Sequence, residues 1–277
     1  MSIDFNQQVI EEFRANGGRV GGPFEGGRLL LLTTTGARTG RPHTVPVGYL
    51  PDEGGRRLVI ASAGGAPAHP AWFHNLRAHP RVTVEDGLFT YEADAEILEG
   101  EERDRLFARA AEADPGWAEY QDRAGRVIPV VALTPVDAGP PPGPLGDSLK
   151  AVHDVFRREL DLLRAEIARS GPGLVAQLRV TCLTFCQGLH HHHTMEDGGM
   201  FPFLGEQHPE LAATMQRLRE EHRTVQRLLE ELQELVTAEG TDRAELLAGV
   251  ERLTADLEAH LAYEEEQLVP ILNGIPR

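Results

Sequence analysis

Apolar and polar residues follow two different rules along this chain. In the first half, apolar positions alternate with polar ones or run in short blocks closed by Gly, Pro or Asp, which is the pattern of strands. It predicts strands at Arg28–Thr35, Thr44–Leu50, Arg56–Ala63, Arg81–Glu85, Leu88–Leu98 and Ile128–Thr134. Three helices interleave. The first, near Asp4–Ala15, carries Phe5, Val9, Ile10 and Phe13 on one face, and the others lie near Pro70–Arg77 and Gly100–Ala113. Short strands with few helices predict a small barrel or an α+β sheet.

From residue 146 onward, apolar residues recur at i, i+3, i+4 and i+7, the spacing of amphipathic helices. Four segments show it, near 146–169, 173–196, 209–237 and 241–269. With short connections between them they predict an antiparallel four-helix bundle. The run Asp137–Gly146 separates the halves. Its consecutive prolines fit neither a helix interior nor a central strand and favour a stiff spacer. The expected organisation is a β-rich domain over 1–136, a linker over 137–145 and a helical domain over 146–277.

Polar residues interrupt the inward stripes of the second half. His153 lies between Val152 and Phe156. His192 follows Leu189 by three, and Glu196 follows His192 by four. His222 lies between Leu218 and Val225. His260 follows Leu257 by three and precedes Glu264 by four. Residues four apart share a helix face, so each helix turns a histidine inward and two add a carboxylate one turn later. Burying such a set without partners is costly. Metal ions supply the missing charge, and imidazole with carboxylate suits iron, zinc or manganese. Carboxylates able to bridge favour two ions. Within the run His190–His193, His192 has the best spacing to Glu196, with His190 and His193 as alternates.

Composition narrows the setting. The 277 residues amount to about two domains. A net charge of −16 argues against nucleic acid as a partner. The N-terminus has acids where a secretory signal has bases, and the longest aliphatic run, Leu29–Leu32, is too short to span a bilayer. Cys182 and Cys186 are the only cysteines, four apart in a helical stretch, which suits a reducing compartment. A cytoplasmic chain without a transmembrane segment is expected.

The first half holds a second set of phrases: Leu32–Gly40, Val45–Val47, Ala61–Ala66, His69–Leu76 and Arg126–Val130. Backbone N–H groups and hydroxyls after a strand can receive a phosphate. Arg38 and Arg41 add forked charge, the turn at Ala63–Gly65 allows close backbone approach, and Trp72, Trp117 and Tyr120 could wall a flat ring. Neither a GxGxxG nor a P-loop is present. An anionic planar cofactor fits, although glycine turns and a core tryptophan account for much of the same pattern.

Both halves resemble known families. The pattern His153, His192-x-x-x-Glu196, His222, His260-x-x-x-Glu264, with Met200–Leu204 and Leu268–Leu272 after the acids, resembles the hemerythrin-like HHE cation-binding family. That resemblance implies two iron ions bridged by the glutamates and a small ligand such as dioxygen, peroxide or nitric oxide. Oxygen-carrying hemerythrins have one more histidine and an aspartate bridge, so this pattern reads as a four-His, two-Glu variant. The phrases from about Phe13 to Pro135 resemble the deazaflavin-dependent nitroreductase and quinone reductase family. The resemblance implies a split β-barrel, the coenzyme F420, and hydride transfer to a quinone or nitro compound. It implies that Arg38, Thr39, Arg41 and His43 face the coenzyme's phosphate and acidic tail. Ser62, Ala63, Gly64 and Gly65 would line its ring or phosphate, and Trp72 and Asn75 would support the pocket. Trp117 and Tyr120 would border the substrate, with Ser62 and Tyr120 donating hydrogen bonds in catalysis. Ala63 stands where relatives often have lysine, and Gly48 where some have tyrosine. The rival readings are a sensor or storage protein with a non-catalytic barrel, and a barrel that holds flavin mononucleotide or haem.

Overall fold

A computed structural model of the chain describes residues 3–136, 143–170, 175–238 and 240–275. The chain divides into two compact units, one of residues 1–139 with 175–181, the other of 140–174 with 182–277. Most of the expected linker, residues 137–142, lies outside the described residues.

The first unit contains α1 (Ile3–Ala15), β1 (Leu29–Thr35), β2 (Pro42–Pro51), β3 (Arg57–Ile60), α2 (Ala71–Ala78), β4 (Arg81–Glu85), β5 (Thr90–Leu98), α3 (Gly100–Ala113), α4 (Gly116–Ala124) and β6 (Val130–Pro135). The strands close into an antiparallel barrel in the order β1-β2-β3-β6-β5-β4. Closure leaves no unpaired strand edge. The four leucines opening β1 do not alternate with polar residues because both faces of that strand are covered. Leu30 and Leu32 join Val59, Val84, Val131 and Leu133 in one apolar cluster. Leu29 and Leu31 pack instead against Val9, Ile10 and Phe13 of α1.

Two expectations need correction. β3 ends at Ile60 rather than Ala63. Ala63, Gly64 and Gly65 take φ values of 49°, 64° and 79°, which no strand contains. A helix also stands where none was expected: α4 begins after Pro115 and stops at Gly125, which is left-handed at φ 62°. Pro and Gly near 115 read as breakers, yet proline at a helix start costs nothing, and Trp117, Tyr120 and Ala124 pack onto the α3–β6 core.

A buried ion cluster ties β2 to α3. Asp52 has a side chain only 2% exposed and accepts from Arg109 Nη2 at 2.8 Å and Arg56 Nη2 at 2.7 Å. Burial opposes its ionisation, but the two guanidiniums outweigh burial and hold the carboxyl below its usual value. A depressed carboxyl stabilises the fold above its unfolded pKa and loses that contribution as pH falls through the folded pKa. Asp52→Ala is expected to cost about 3–5 kcal/mol by stranding Arg109. Melting followed from pH 7 to pH 3 should show the native barrel losing stability below about pH 4 and the variant losing less over that range.

The second unit contains α5 (Leu145–Arg169), α6 (Ala176–Met195) from Cys182 onward, α7 (Phe201–Gln207), α8 (Ala212–Thr237) and α9 (Arg243–Asn273). A π-helical turn, Glu196–Met200, continues α6 into α7, and Phe201 N–H bonds back to Glu196 O. The expected inward stripes are buried: Phe156, Leu160, Leu163 and Ile167 on α5, Leu218, Val225 and Leu229 on α8, and Leu253, Leu257 and Leu261 on α9. The multidomain α+β architecture, a barrel followed by a helical unit, matches the expectation. Among the described residues, no helix is long and apolar enough to cross a membrane.

Candidate metal centre and coenzyme site

Four helices deliver imidazoles and carboxylates to one buried place. His153 comes from α5, His192 and His193 from α6, Glu196 from the π turn, His222 from α8, and His260 and Glu264 from α9. Three overlapping sets have ligand atoms within 4.8 Å of one another: His193, His222 and His260; His153, His192 and Glu196; and Glu196, His222 and Glu264. His192 Nε2 is 3.0 Å from Glu196 Oε1, His153 Nε2 is 3.5 Å from Glu264 Oε2, and His222 Nε2 is 3.5 Å from Glu196 Oε2. Atoms bound at about 2.1 Å around one ion stand about 3 Å apart, so this spacing suits ligands gathered about metal.

The strongest test of fit is the hydrogen-bond ledger. The Nε2 atoms of all five histidines and both oxygens of Glu196 and Glu264 are buried without a hydrogen-bond partner. Each such atom costs free energy in a metal-free fold. Burial pushes His192 down to about 4 and His222 to about 3. Burial also lowers His153, His193 and His260, and it raises Glu196 and Glu264 well above the usual carboxylate range. Neutral imidazoles and desolvated carboxylates are what a cation satisfies.

The far sides of three rings are fully used. His153 Nδ1 lies 3.0 Å from Glu265 Oε1, His222 Nδ1 3.1 Å from Asp197 Oδ1, and His260 Nδ1 3.0 Å from Glu221 Oε2. Each carboxylate fixes the Nδ1–H tautomer, which turns the Nε2 lone pair inward. Arginines hold two of these acids from behind: Arg157 Nη1 donates to Glu265 at 2.7 Å and Arg217 Nε to Glu221 at 2.8 Å. Burial opposes ionisation of Glu265, but His153 and Arg157 outweigh it and bring the carboxyl to about 2. The π turn has a part here. It lets neighbouring residues serve both layers, Glu196 facing the cluster and Asp197 backing His222. Glu265→Gln or Glu221→Gln is expected to weaken metal binding about 10–100-fold with helicity retained, as read by competition against a chelator. A cleft of about 600 Å³, lined by His193, Thr194, Asp197, His222, Arg223 and Arg227 among others, reaches the cluster between α6 and α8.

The barrel's candidate site is built from two loops. In the β1–β2 loop, Gly36 N–H bonds to Arg41 O at 2.8 Å. A Cβ at Gly36 would stand 2.5 Å from Thr39 Oγ1 and 3.1 Å from Arg41 O, so a larger residue here would displace the Thr39 side chain and crowd the loop. Arg38, Arg41 and His43 are exposed, and none has an ion pair among the described residues. In the loop after β3, Ser62 Oγ accepts from Gly64 N–H at 3.4 Å. Gly65 presses on α4, where a Cβ would lie 3.3 Å from the Tyr120 backbone. Tyr120 packs edge-on to Trp117 with ring centres 5.9 Å apart.

Residues 6–135 match the family described as F420H(2)-dependent quinone reductase. The F420H(2)-dependent quinone reductase Rv1261c of Mycobacterium tuberculosis H37Rv is 38% identical over 126 residues, which cover 44% of this chain and 84% of that protein. The chain belongs to the F420H2-dependent quinone reductase family. The quinone reductase MT1299 of M. tuberculosis CDC 1551 matches to the same extent. A solved F420-H2 dependent reductase, FDR-A, is 42% identical over 38% of this chain and 93% of its own, with a TM-score of 0.35. Beyond the reductase part, residues 145–272 match the hemerythrin HHE cation-binding domain.

Within this reductase family frame, the structure sorts the residues named from sequence. Arg38, Thr39, Arg41 and His43 share one exposed loop and strand start. Ser62, Ala63, Gly64 and Gly65 form a second loop, which touches Tyr120. Trp72 is 8% exposed and belongs to the barrel core. Asn75 spends its amide on the protein, since Oδ1 accepts from Ala37 N–H and Nδ2 donates to Thr34 Oγ1, both at 3.0 Å. It therefore holds the β1–β2 loop in place. In the helical unit, His153, His192, Glu196, His222, His260 and Glu264 come together as a set. His190 is turned away, with Nδ1 on Gln226 Oε1 at 2.6 Å. His193 joins the cluster beside His192 instead of replacing it, stacked on His222 at 4.1 Å and 13°. The four-histidine count therefore becomes five gathered imidazoles.

Proposed function

We propose that the chain is an oxidoreductase in which reduced F420 serves quinone-type or nitro-type acceptors and the helical unit holds two iron ions. The reading of the barrel is carried by one observation: Arg38 and Arg41 stand exposed, without an ion pair among the described residues, on a loop pinned from behind by Asn75. Their guanidiniums suit the phosphate and carboxylate tail of the coenzyme. When bound, the coenzyme supplies a hydride equivalent. The chain's own residues position it. Within the Ser62–Gly65 loop, Gly64 and Gly65 approach with backbone alone, because they have no side chain. Ser62 Oγ and the Tyr120 hydroxyl are the candidate donors to charge developing on the acceptor. The proton that completes hydroquinone formation comes from solvent or from one of these hydroxyls.

In the helical unit, His193, His222 and His260 would hold one ion, and His153 and His192 the other, with Glu196 and Glu264 shared between them. Iron held there would supply redox chemistry with a small ligand such as dioxygen, peroxide or nitric oxide. The cleft lined by His193 and His222 provides a route to it. The test is anaerobic titration of the chain with F420 and with flavin mononucleotide, followed by an assay of reduced F420 with a soluble quinone. Tighter binding of F420 and quinone-dependent loss of its reduced form support the reading. Equal or tighter binding of flavin mononucleotide overturns it.

A further inference from the structure

Arg126 opens one of the sequence phrases of the barrel and has no part in the site as described so far. Its Nη2 donates to three backbone oxygens: Ala61 O at 3.1 Å, Ser62 O at 3.3 Å and Ala68 O at 3.2 Å. These carbonyls flank the Ser62–Gly65 loop on both sides. Within that loop Ala63, Gly64 and Gly65 are successively left-handed. Left-handed backbone is unfavourable for a residue with a Cβ, so Ala63 at φ 49° persists only where its surroundings over-determine it. The arginine is itself fixed. Gln121 Nε2 donates to Arg126 O at 2.5 Å, and Gln121 Oε1 accepts from Ile128 N–H and Arg103 Nη2, both at 3.0 Å. Arg103 also donates twice to Ile128 O. A chain of bonds thus runs from α3 through α4 to the loop.

We propose that Arg126 is the positioning residue of the coenzyme loop: one guanidinium gathers the carbonyls of residues 61, 62 and 68 and so holds the loop in its left-handed form. Occupying those carbonyls from behind leaves the loop's other backbone face for the ligand. Ala68 lies just ahead of α2, the helix whose Asn75 holds the β1–β2 loop. Arg126 thus anchors one loop and the segment leading into the short helix from which Asn75 anchors the other. All three bonds come from Nη2 alone, so a lysine ammonium could replace them only by bringing its nitrogen to that one point on a shorter and more flexible stem.

This rests on the F420 reading, and its test separates the two. Hydrogen exchange is measured on the coenzyme-free full chain for native, R126K and R126A proteins, alongside F420 titration of each. For R126A we expect faster exchange over residues 61–68, unchanged protection of β1 and β6, and F420 binding weakened about 10-fold or more. R126K should fall between native and R126A in both measurements. If the native chain does not bind F420, the functional reading fails, and the exchange data alone still decide whether Arg126 holds the loop. Unchanged exchange over 61–68 in R126A overturns the proposal. So does undiminished F420 affinity in R126A, if the native chain binds F420. Loss of β1 and β6 protection in both variants overturns it as well, because that marks a general support of the barrel.

Discussion

Changing Glu196 and Glu264 together to Gln is expected to take the chain from about two bound iron ions to nearly none. The charge balance is the reason. Two divalent ions would bring four positive charges into a site where burial favours the neutral form of the five gathered imidazoles. The two glutamates would supply the negative charge directly against those ions. Without it, four positive charges would sit among His153 at 0% exposure, His260 at 1% and their neighbours. Removing one partner of a buried charge pair costs about 3–5 kcal/mol, or about 100-fold or more in affinity for each glutamate. Glutamine keeps the shape, so the helices should remain. In the metal-free protein the amides also replace carboxyls that burial already disfavours as anions. Iron content after loading with ferrous iron and desalting reads the result, with circular dichroism as the control. A variant that still holds two ions would show that the histidines alone make the site, and it would remove the bridging role from both glutamates.

How far sequence reached depends on the period of each feature. The stripes of α5, α8 and α9 repeat over six or more turns, and the histidines interrupt them in phase. His153, His222 and His260 could therefore be placed from spacing alone. The face of α1 was legible from the same kind of spacing over a shorter span, and the leucines of β1 from an unbroken apolar run. His193 was not, because neighbours on an ideal helix point 100° apart, and a search for one inward histidine per helix admits only one of the pair. The cluster gathers both, His192 against Glu196 and His193 stacked on His222. The π turn at Glu196–Met200 has no periodic signature, and the Gly198–Gly199 pair inside it reads as a loop. α4 was hidden by Pro115 and Gly116, whose local meaning as breakers reverses at a helix start. Arg126 shows the limit most clearly. Its three acceptors are main-chain carbonyls far away in sequence, and a carbonyl belongs to every residue, so no side-chain pattern announces the contact. Asn75 was named as a support of the coenzyme pocket, and its amide reaches Ala37 and Thr34 rather than open space.

Reversing the two loop charges, with Arg38→Glu and Arg41→Glu, is expected to weaken F420 binding by about 100-fold or more while leaving the barrel's melting temperature nearly unchanged. Both guanidiniums are exposed and make no ion pair among the described residues, so the free protein loses little when they go. A charge-assisted hydrogen bond contributes about 1.5–3 kcal/mol, about 10–100-fold in affinity, and reversal adds repulsion to that loss. The chain's net charge of −16 sharpens the effect, because an anionic coenzyme approaches against the field of the whole molecule. Two local cations are what turn that approach favourable. Salt offers an independent check: native affinity should fall as ionic strength rises, and the reversed variant should show a flatter or inverted dependence. Flavin mononucleotide provides the contrast, since it has the phosphate but not the carboxylate tail. If Arg38 and Arg41 serve the tail, reversal should penalise F420 more than the flavin. An equal penalty for both ligands would place the arginines on the phosphate. No penalty for either would remove this loop from the coenzyme site, because exposed arginines that touch no ligand are ordinary solvated charge.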